Sequence, residues 1–173
     1  MTAIRVLVVY GTKNGSTAEI AEWTAEALRD RGVEADARSA ADDPDPGSYD
    51  AVIVGAGLYA GRWRRDAARF VRRHQKQLGR QPVWLFSSGP LDDSAAVGDL
   101  PAPAGVVRLA DRIDARTHII FGGRLNDGAR GFIARQILRQ GRGGDFRDRA
   151  RIREWAHAVA DELLRTGADN LTD

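Results

Sequence analysis

The stretch Val9-Tyr10-Gly11-Thr12-Lys13-Asn14-Gly15-Ser16-Thr17 decides how this chain is read. An apolar run over residues 4–10 reads as a strand and feeds straight into a loop of Gly, Thr, Asn and Ser. Beyond it Ile20, Thr24, Ala27 and Leu28 fall on one helical stripe, so the loop opens an amphipathic helix. A helix start leaves backbone N–H groups unbonded and carries the positive end of the helix dipole, which together attract anions. Hydroxyls of Thr12, Ser16 and Thr17 add donors around Lys13 and Asn14, while Gly11 and Gly15 allow the main chain to curl closely. Two readings are open. Either the loop cradles a phosphate, or Ser16 and Glu19 form a capping box that starts the helix with no ligand at all. Two glycines and three hydroxyl residues exceed what a cap requires, which favours the phosphate. No Gly-Lys-Ser/Thr stands at the spacing of a nucleoside-triphosphatase loop, which disfavours ATP.

Outward from this junction, strand and helix patterns alternate to the end of the chain. Strands are expected over residues 4–10, 33–38, 51–56, 82–88 and 117–122. Helices are expected over 16–31, 65–78, 106–113, 130–140 and 148–165, with a loop over 42–48 around Pro44 and Pro46. The run at 51–56 is almost wholly apolar, as a strand covered on both faces should be. The pattern predicts an α/β fold: a doubly wound, five-stranded parallel sheet of order 2-1-3-4-5, whose ligand crevice lies between strands one and three. One domain over residues 1–166 and a flexible tail over 167–173 are expected.

The chain has 173 residues and 43% hydrophobic content, which suits one soluble domain with a substantial core. It has no cysteine, which excludes disulfides, thiolate nucleophiles and iron–sulfur ligation. His74, His118 and His157 are scattered without carboxylates at ligand spacing, so no metal is expected and each reads as a surface or packing residue. No run reaches membrane length, and the expected location is cytoplasmic. Net charge is only +2, yet the pI is about 9.4, because Lys13 and Lys76 are the only lysines and arginine supplies the rest. Guanidinium suits carboxylates and phosphates. The absence of a clustered aromatic platform argues against nucleic acid.

Two further loops follow strands three and four, and all three loops should meet at one sheet edge. One runs through Gly55, Ala56, Gly57, Leu58, Tyr59, Ala60, Gly61, Arg62 and Trp63; the other through Ser87, Ser88, Gly89, Pro90 and Leu91. Gly55, Gly57 and Ala60 match the dinucleotide pattern G-x-G-x-x-A, but after the third strand rather than the first, where the pattern carries little weight. Glycines that let a main-chain edge approach a flat ring explain it better, with Tyr59 and Trp63 beside that ring. Burial against neighbouring helices is the other reading of both aromatics.

These loops together resemble the flavodoxin fold, and more closely its menaquinone-dependent protoporphyrinogen IX oxidase branch. Further carriers of the likeness are Tyr49-Asp50-Ala51-Val52-Ile53-Val54-Gly55-Ala56, Arg69-Phe70-Val71-Arg72-Arg73-His74 and Phe121-Gly122-Gly123-Arg124-Leu125, then Gly143-Gly144-Asp145 and a last helix holding Trp155. The chain departs from that branch at Ala60, where an aromatic is expected, and over residues 92–105, which lack the branch's basic extension.

The resemblance implies FMN, with Thr12–Thr17 (through Lys13, Asn14, Gly15 and Ser16) on the phosphate. It places Gly57, Leu58, Tyr59, Ala60 and Gly61 at the reactive edge of the ring and Ser88, Gly89, Pro90 and Leu91 on its other side. It implies that the flavin carries the chemistry, with no catalytic side chain, taking electrons from a porphyrinogen in heme biosynthesis and passing them to a quinone. Arg62, Trp63, Arg64 and Arg65 would then meet the substrate. The alternative is a flavodoxin-type electron carrier serving a redox partner protein, although such carriers are usually acidic. The stretch from Arg130 to Gln140 reads as a basic amphipathic helix, able to touch an anionic membrane peripherally or simply to cover the sheet.

Overall fold

Five strands lie side by side and parallel in the computed structural model, which describes residues 3–12, 15–59, 62–89, 102–122, 124–125, 144–145 and 147–169. Strand β1 (Arg5–Gly11) pairs with β2 (Glu34–Ser39) on one side and β3 (Ala51–Tyr59) on the other. Beyond β3 come β5 (Val83–Ser88) and β6 (His118–Phe121). The two-residue β4 (Arg62–Trp63) is the antiparallel return of β3, so the parallel strands follow the anticipated order.

Two apolar layers sandwich this sheet. Val6, Val8, Ile53, Trp84 and Phe86 face α1 (Ser16–Asp30) and α5 (Arg149–Asp169). Leu7, Val9, Val52, Val54 and Leu85 face α2 (Arg65–Arg73), α3 (Gln75–Leu78) and α4 (Ala104–Ile113). Residues Val6 to Val9 are therefore completely buried, which is why β1 reads as an unbroken apolar run and not as an alternation. Each such side chain contributes about 1.5–3 kcal/mol on leaving water.

Helix α1 ends as its sequence requires. Gly32 adopts a left-handed φ of 81°, the Val33 N–H reaches back to the Leu28 carbonyl and the Gly32 N–H to that of Arg29. Buried Thr24 satisfies its hydroxyl by donating to the Ile20 carbonyl at 2.8 Å.

Several boundaries differ from expectation for identifiable reasons. The single helix expected over 65–78 is divided at His74, whose backbone leaves helical values (φ −105°, ψ 20°) as its ring nitrogen meets Asp43 Oδ1 at 2.6 Å. Strand β3 runs three residues past Ala56, because Ala56 and Gly57 continue the ladder against Ser87 and Ser88 and Leu58 and Tyr59 pair with β4. The loop over 42–48 is tightened by two 3₁₀ turns, Ala40–Asp42 and Pro46–Ser48, capped by Ser39 and Asp45. Helix α5 continues through Gly167 to Asp169, so the first residues of the expected tail are helical. A small antiparallel pair, β7 (Arg124–Leu125) and β8 (Gly144–Asp145), was not anticipated. The helix expected from Arg130 to Gln140 lies outside the described residues.

Candidate cofactor site

At the start of α1 the two readings of the loop separate. The N-cap is Gly15, at φ 84°, and no side chain caps the helix. The Glu19 N–H donates to the Gly15 carbonyl at 3.2 Å, and the Glu19 carboxylate turns away to Arg147, at 3.0 Å. No capping box forms. The N–H groups of Ser16, Thr17 and Ala18 have no partner among the described residues. Ser16 and Thr17 are themselves buried, at 7% and 2% exposure. Thr12 supports the turn by accepting the Gly15 N–H at 3.0 Å, which leaves its own hydroxyl proton to give. Lys13 and Asn14 lie outside the described residues.

Strand register brings the three expected loops to one edge. Gly11 stands beside Ala56, Ala56 beside Ser87, and Gly57 beside Ser88. Ser88 is buried, and Gly89 takes a φ of 132° that other residues rarely adopt while donating to the Phe121 carbonyl at 2.8 Å. Leu58 is half-buried, and Tyr59 ends β3. Ala60, Gly61, Pro90 and Leu91 lie outside the described residues.

The glycines of this edge do not all serve a ligand. A Cβ at Gly55 would overlap the ring of Phe86, so the flat ring approached there belongs to the protein's own core. This corrects the reading of Gly55 as an opening for a bound ring. Gly11 admits α2, since a Cβ there would stand 3.0 Å from that of Ala67.

Of the four residues expected to meet substrate, Arg62 and Arg65 are exposed. Arg64 is half-buried beside the ends of β1 and β3. Its N–H donates to the Gly57 carbonyl at 3.2 Å, and its buried Nε, without a hydrogen-bond partner among the described residues, lies 3.9 Å from Asp66 Oδ2. Trp63 is 8% exposed, so the burial reading of this residue describes where it sits. Its indole N–H donates to Ser87 Oγ at 2.7 Å, and Ser87 Oγ lies 2.6 Å from His118 Nε2. Burial pushes the His118 pKa down from 6.5 to about 4, so the ring is neutral at neutral pH. The sequence reading of His118 as a surface or packing residue did not reveal this contact, because its partner is 31 positions away and nothing local marks it.

Charge is divided between the two helical faces. Between α1 and α5, Arg149 pairs with Glu26, Arg153 with Asp30 and Arg31 with Asp161, and just before α5 Arg147 pairs with Glu19. On the opposite face Arg65, Arg69, Arg72 and Lys76 are exposed, with no carboxylate within 4.0 Å among the described residues. Arg73 there pairs with Asp43, whose carboxyl is held below its usual value chiefly by the His74 hydrogen bond. No described helix is long and apolar enough to cross a membrane.

A parallel sheet wound on both faces, with N–H groups that have no partner among the described residues where β1 meets α1, defines a flavodoxin-like domain with a candidate anion site. The family model for the flavodoxin domain matches residues 7–142, and the chain belongs to that family. FMN is its cofactor, and the residues here fit it: the N–H groups of Ser16, Thr17 and Ala18, without partners among the described residues, suit the phosphate beside the buried Ser16 and Thr17. The chain is 29% identical over 86 residues to protoporphyrinogen IX dehydrogenase (quinone) of Escherichia coli K12, a match covering 49% of this chain and 48% of that protein. It thus spans about half the length of the curated relatives it matches. A flavodoxin from the domain Archaea superposes with a TM-score of 0.58 at 14% identity, covering 92% of this chain and 99% of that one. The two-electron reduced flavodoxin of Megasphaera elsdenii superposes at 0.59 and 16% identity, covering 90% and 98%.

Proposed function

We propose that this protein is an FMN-dependent oxidoreductase of the protoporphyrinogen IX oxidase type, moving electrons from a porphyrinogen to a quinone. The observation that carries the reading is the start of α1, where no side chain caps the helix and three N–H groups have no partner among the described residues, beside the buried Ser16 and Thr17. An anion there completes the hydrogen bonding of the helix end. The 29% identity to a protoporphyrinogen IX dehydrogenase supports the choice of substrate.

Bound FMN supplies the reversible uptake and release of electron pairs that no side chain can perform. The chain's own groups bind and orient. Thr12 to Thr17 would hold the phosphate, and Gly57 to Gly61 together with Ser88 to Leu91 would hold the ring. Arg62, Arg64 and Arg65 meet the carboxylates of the porphyrinogen, for which the guanidinium fork is shaped. The exposed cations along α2 extend the same field and draw an anionic substrate toward the edge.

The test is anaerobic mixing of FMN-loaded protein with protoporphyrinogen IX and a menaquinone analogue, following porphyrin fluorescence. Quinone-dependent growth of fluorescence is expected. A protein that holds FMN and exchanges electrons with a flavodoxin reductase, yet forms no porphyrin, would be a carrier instead.

A further inference from the structure

The arm formed by the end of β3 and by β4 is tied to the sheet by a buried polar contact with no part in the phosphate site. Leu58 pairs with Trp63 and Tyr59 with Arg62, so the arm is a hairpin rooted at Gly57, beside Ser88. From its returning limb Trp63 reaches into the sheet and donates to Ser87 Oγ at 2.7 Å. Ser87 has no solvent exposure. An indole has one donor and no acceptor, so Ser87 accepts from Trp63 and keeps one proton to give. His118 Nε2, at 2.6 Å, is placed to take that proton. Its strand partner Leu85 sets it on the same sheet face as Ser87, two residues along β5. Each buried polar atom of the set thereby satisfies another. If any member is removed, a buried donor or acceptor is stranded.

We infer that Trp63, Ser87 and His118 are positioning residues that fix the β3–β4 arm at the ring end of the FMN site. Ser87 immediately precedes Ser88 and Gly89, so one contact aligns both sides of the expected ring slot. The phosphate end is built on other elements, the β1–α1 loop and the start of α1, so the two ends can be separated by experiment. The inference rests on the FMN reading of the site, and riboflavin, which has the ring without the phosphate, reports on the ring end alone.

Dissociation constants for FMN and riboflavin, from flavin fluorescence on the full-length apo-protein, test it. Trp63→Phe keeps an aromatic side chain, smaller than the indole, and removes the N–H; Ser87→Ala removes the acceptor. Each is expected to weaken both flavins about tenfold, as befits a stranded buried partner. The double variant should be no worse than Ser87→Ala, since Ser87→Ala already removes the Trp63 contact together with the one to His118. His118→Ala frees the Ser87 hydroxyl but keeps the indole contact, giving a smaller loss, and Ser87→Thr, which retains a hydroxyl, should recover affinity. Thr17→Ala should weaken FMN alone. Unchanged riboflavin affinity in Trp63→Phe and Ser87→Ala, with only a lower melting temperature of the apo-protein, would overturn the positioning role. So would additive losses in the double variant. Failure of the unsubstituted protein to bind either flavin removes the FMN reading itself, and the inference with it.

Discussion

Replacing Gly55 with alanine tests whether this glycine serves the core or the ligand. The added Cβ would overlap the Phe86 ring, which is completely buried and cannot swing aside. That ring is packed between Phe121 and Trp155, at centroid distances of 5.9 and 6.1 Å. Gly55 and Phe86 are also register partners across β3 and β5, so relief requires either an off-rotamer ring or a shift of the ladder. Overpacking of this kind costs about 1–3 kcal/mol, and the rigidity of these surroundings argues for the upper end. Losing a glycine from the unfolded chain returns about 0.4–1 kcal/mol. A net loss of about 2 kcal/mol follows, which for a domain of this size lowers the melting temperature by about 4–8 °C. Urea unfolding followed by tryptophan fluorescence measures it, with Trp155 beside the perturbed ring. Phe86→Leu in the Gly55→Ala background should recover part of the loss, giving a coupling of about 1 kcal/mol. A loss below about 0.5 kcal/mol, or strictly additive losses, would refute the reasoning and return Gly55 to the ligand.

His118 should make the fold acid-sensitive. Its pKa is depressed by burial, so the unfolded chain takes up a proton as pH falls through 6.5 while the folded one does not until about 4. Stability is therefore full above pH 6.5 and declines toward pH 4, and urea midpoints across this window should fall less in His118→Gln than in the unsubstituted protein. Arg147 has only 4% side-chain exposure, pairs with half-exposed Glu19 and covers the Trp23 ring at 4.5 Å. Its replacement by alanine should cost about 1–2 kcal/mol, less than a fully buried pair because Glu19 is solvated. Arg149→Ala, whose pair with Glu26 is exposed on both sides, should cost under about 0.5 kcal/mol in the same denaturation assay. Arg62→Glu with Arg65→Glu should raise KM for the porphyrinogen about tenfold at unchanged kcat and FMN affinity; a change in kcat alone would place these arginines elsewhere in the reaction.

Legibility followed the range of the interactions involved. Strands β1, β3 and β5 were readable because burial on both faces makes each an apolar run, and the stop of α1 was readable because Gly32 does the work itself. The phosphate loop was visible as a composition, yet composition left the capping box open. What closed it was Glu19 turning to Arg147, a partner 128 positions away. The division of the 65–78 helix depended on Asp43, 31 positions from His74. The β4 return was invisible because two residues carry no period.

Local pattern was enough to name the five parallel strands, their order and the edge where a ligand would sit, because side-chain periodicity and turn chemistry act over a few residues. Which glycine admits a core ring, and which tryptophan ties an arm to a serine and a histidine, emerged from strand register. Register belongs to the assembled sheet: it places Gly55 against Phe86, and it brings Ser87 within reach of both Trp63 and His118, residues that no short window of the chain contains together.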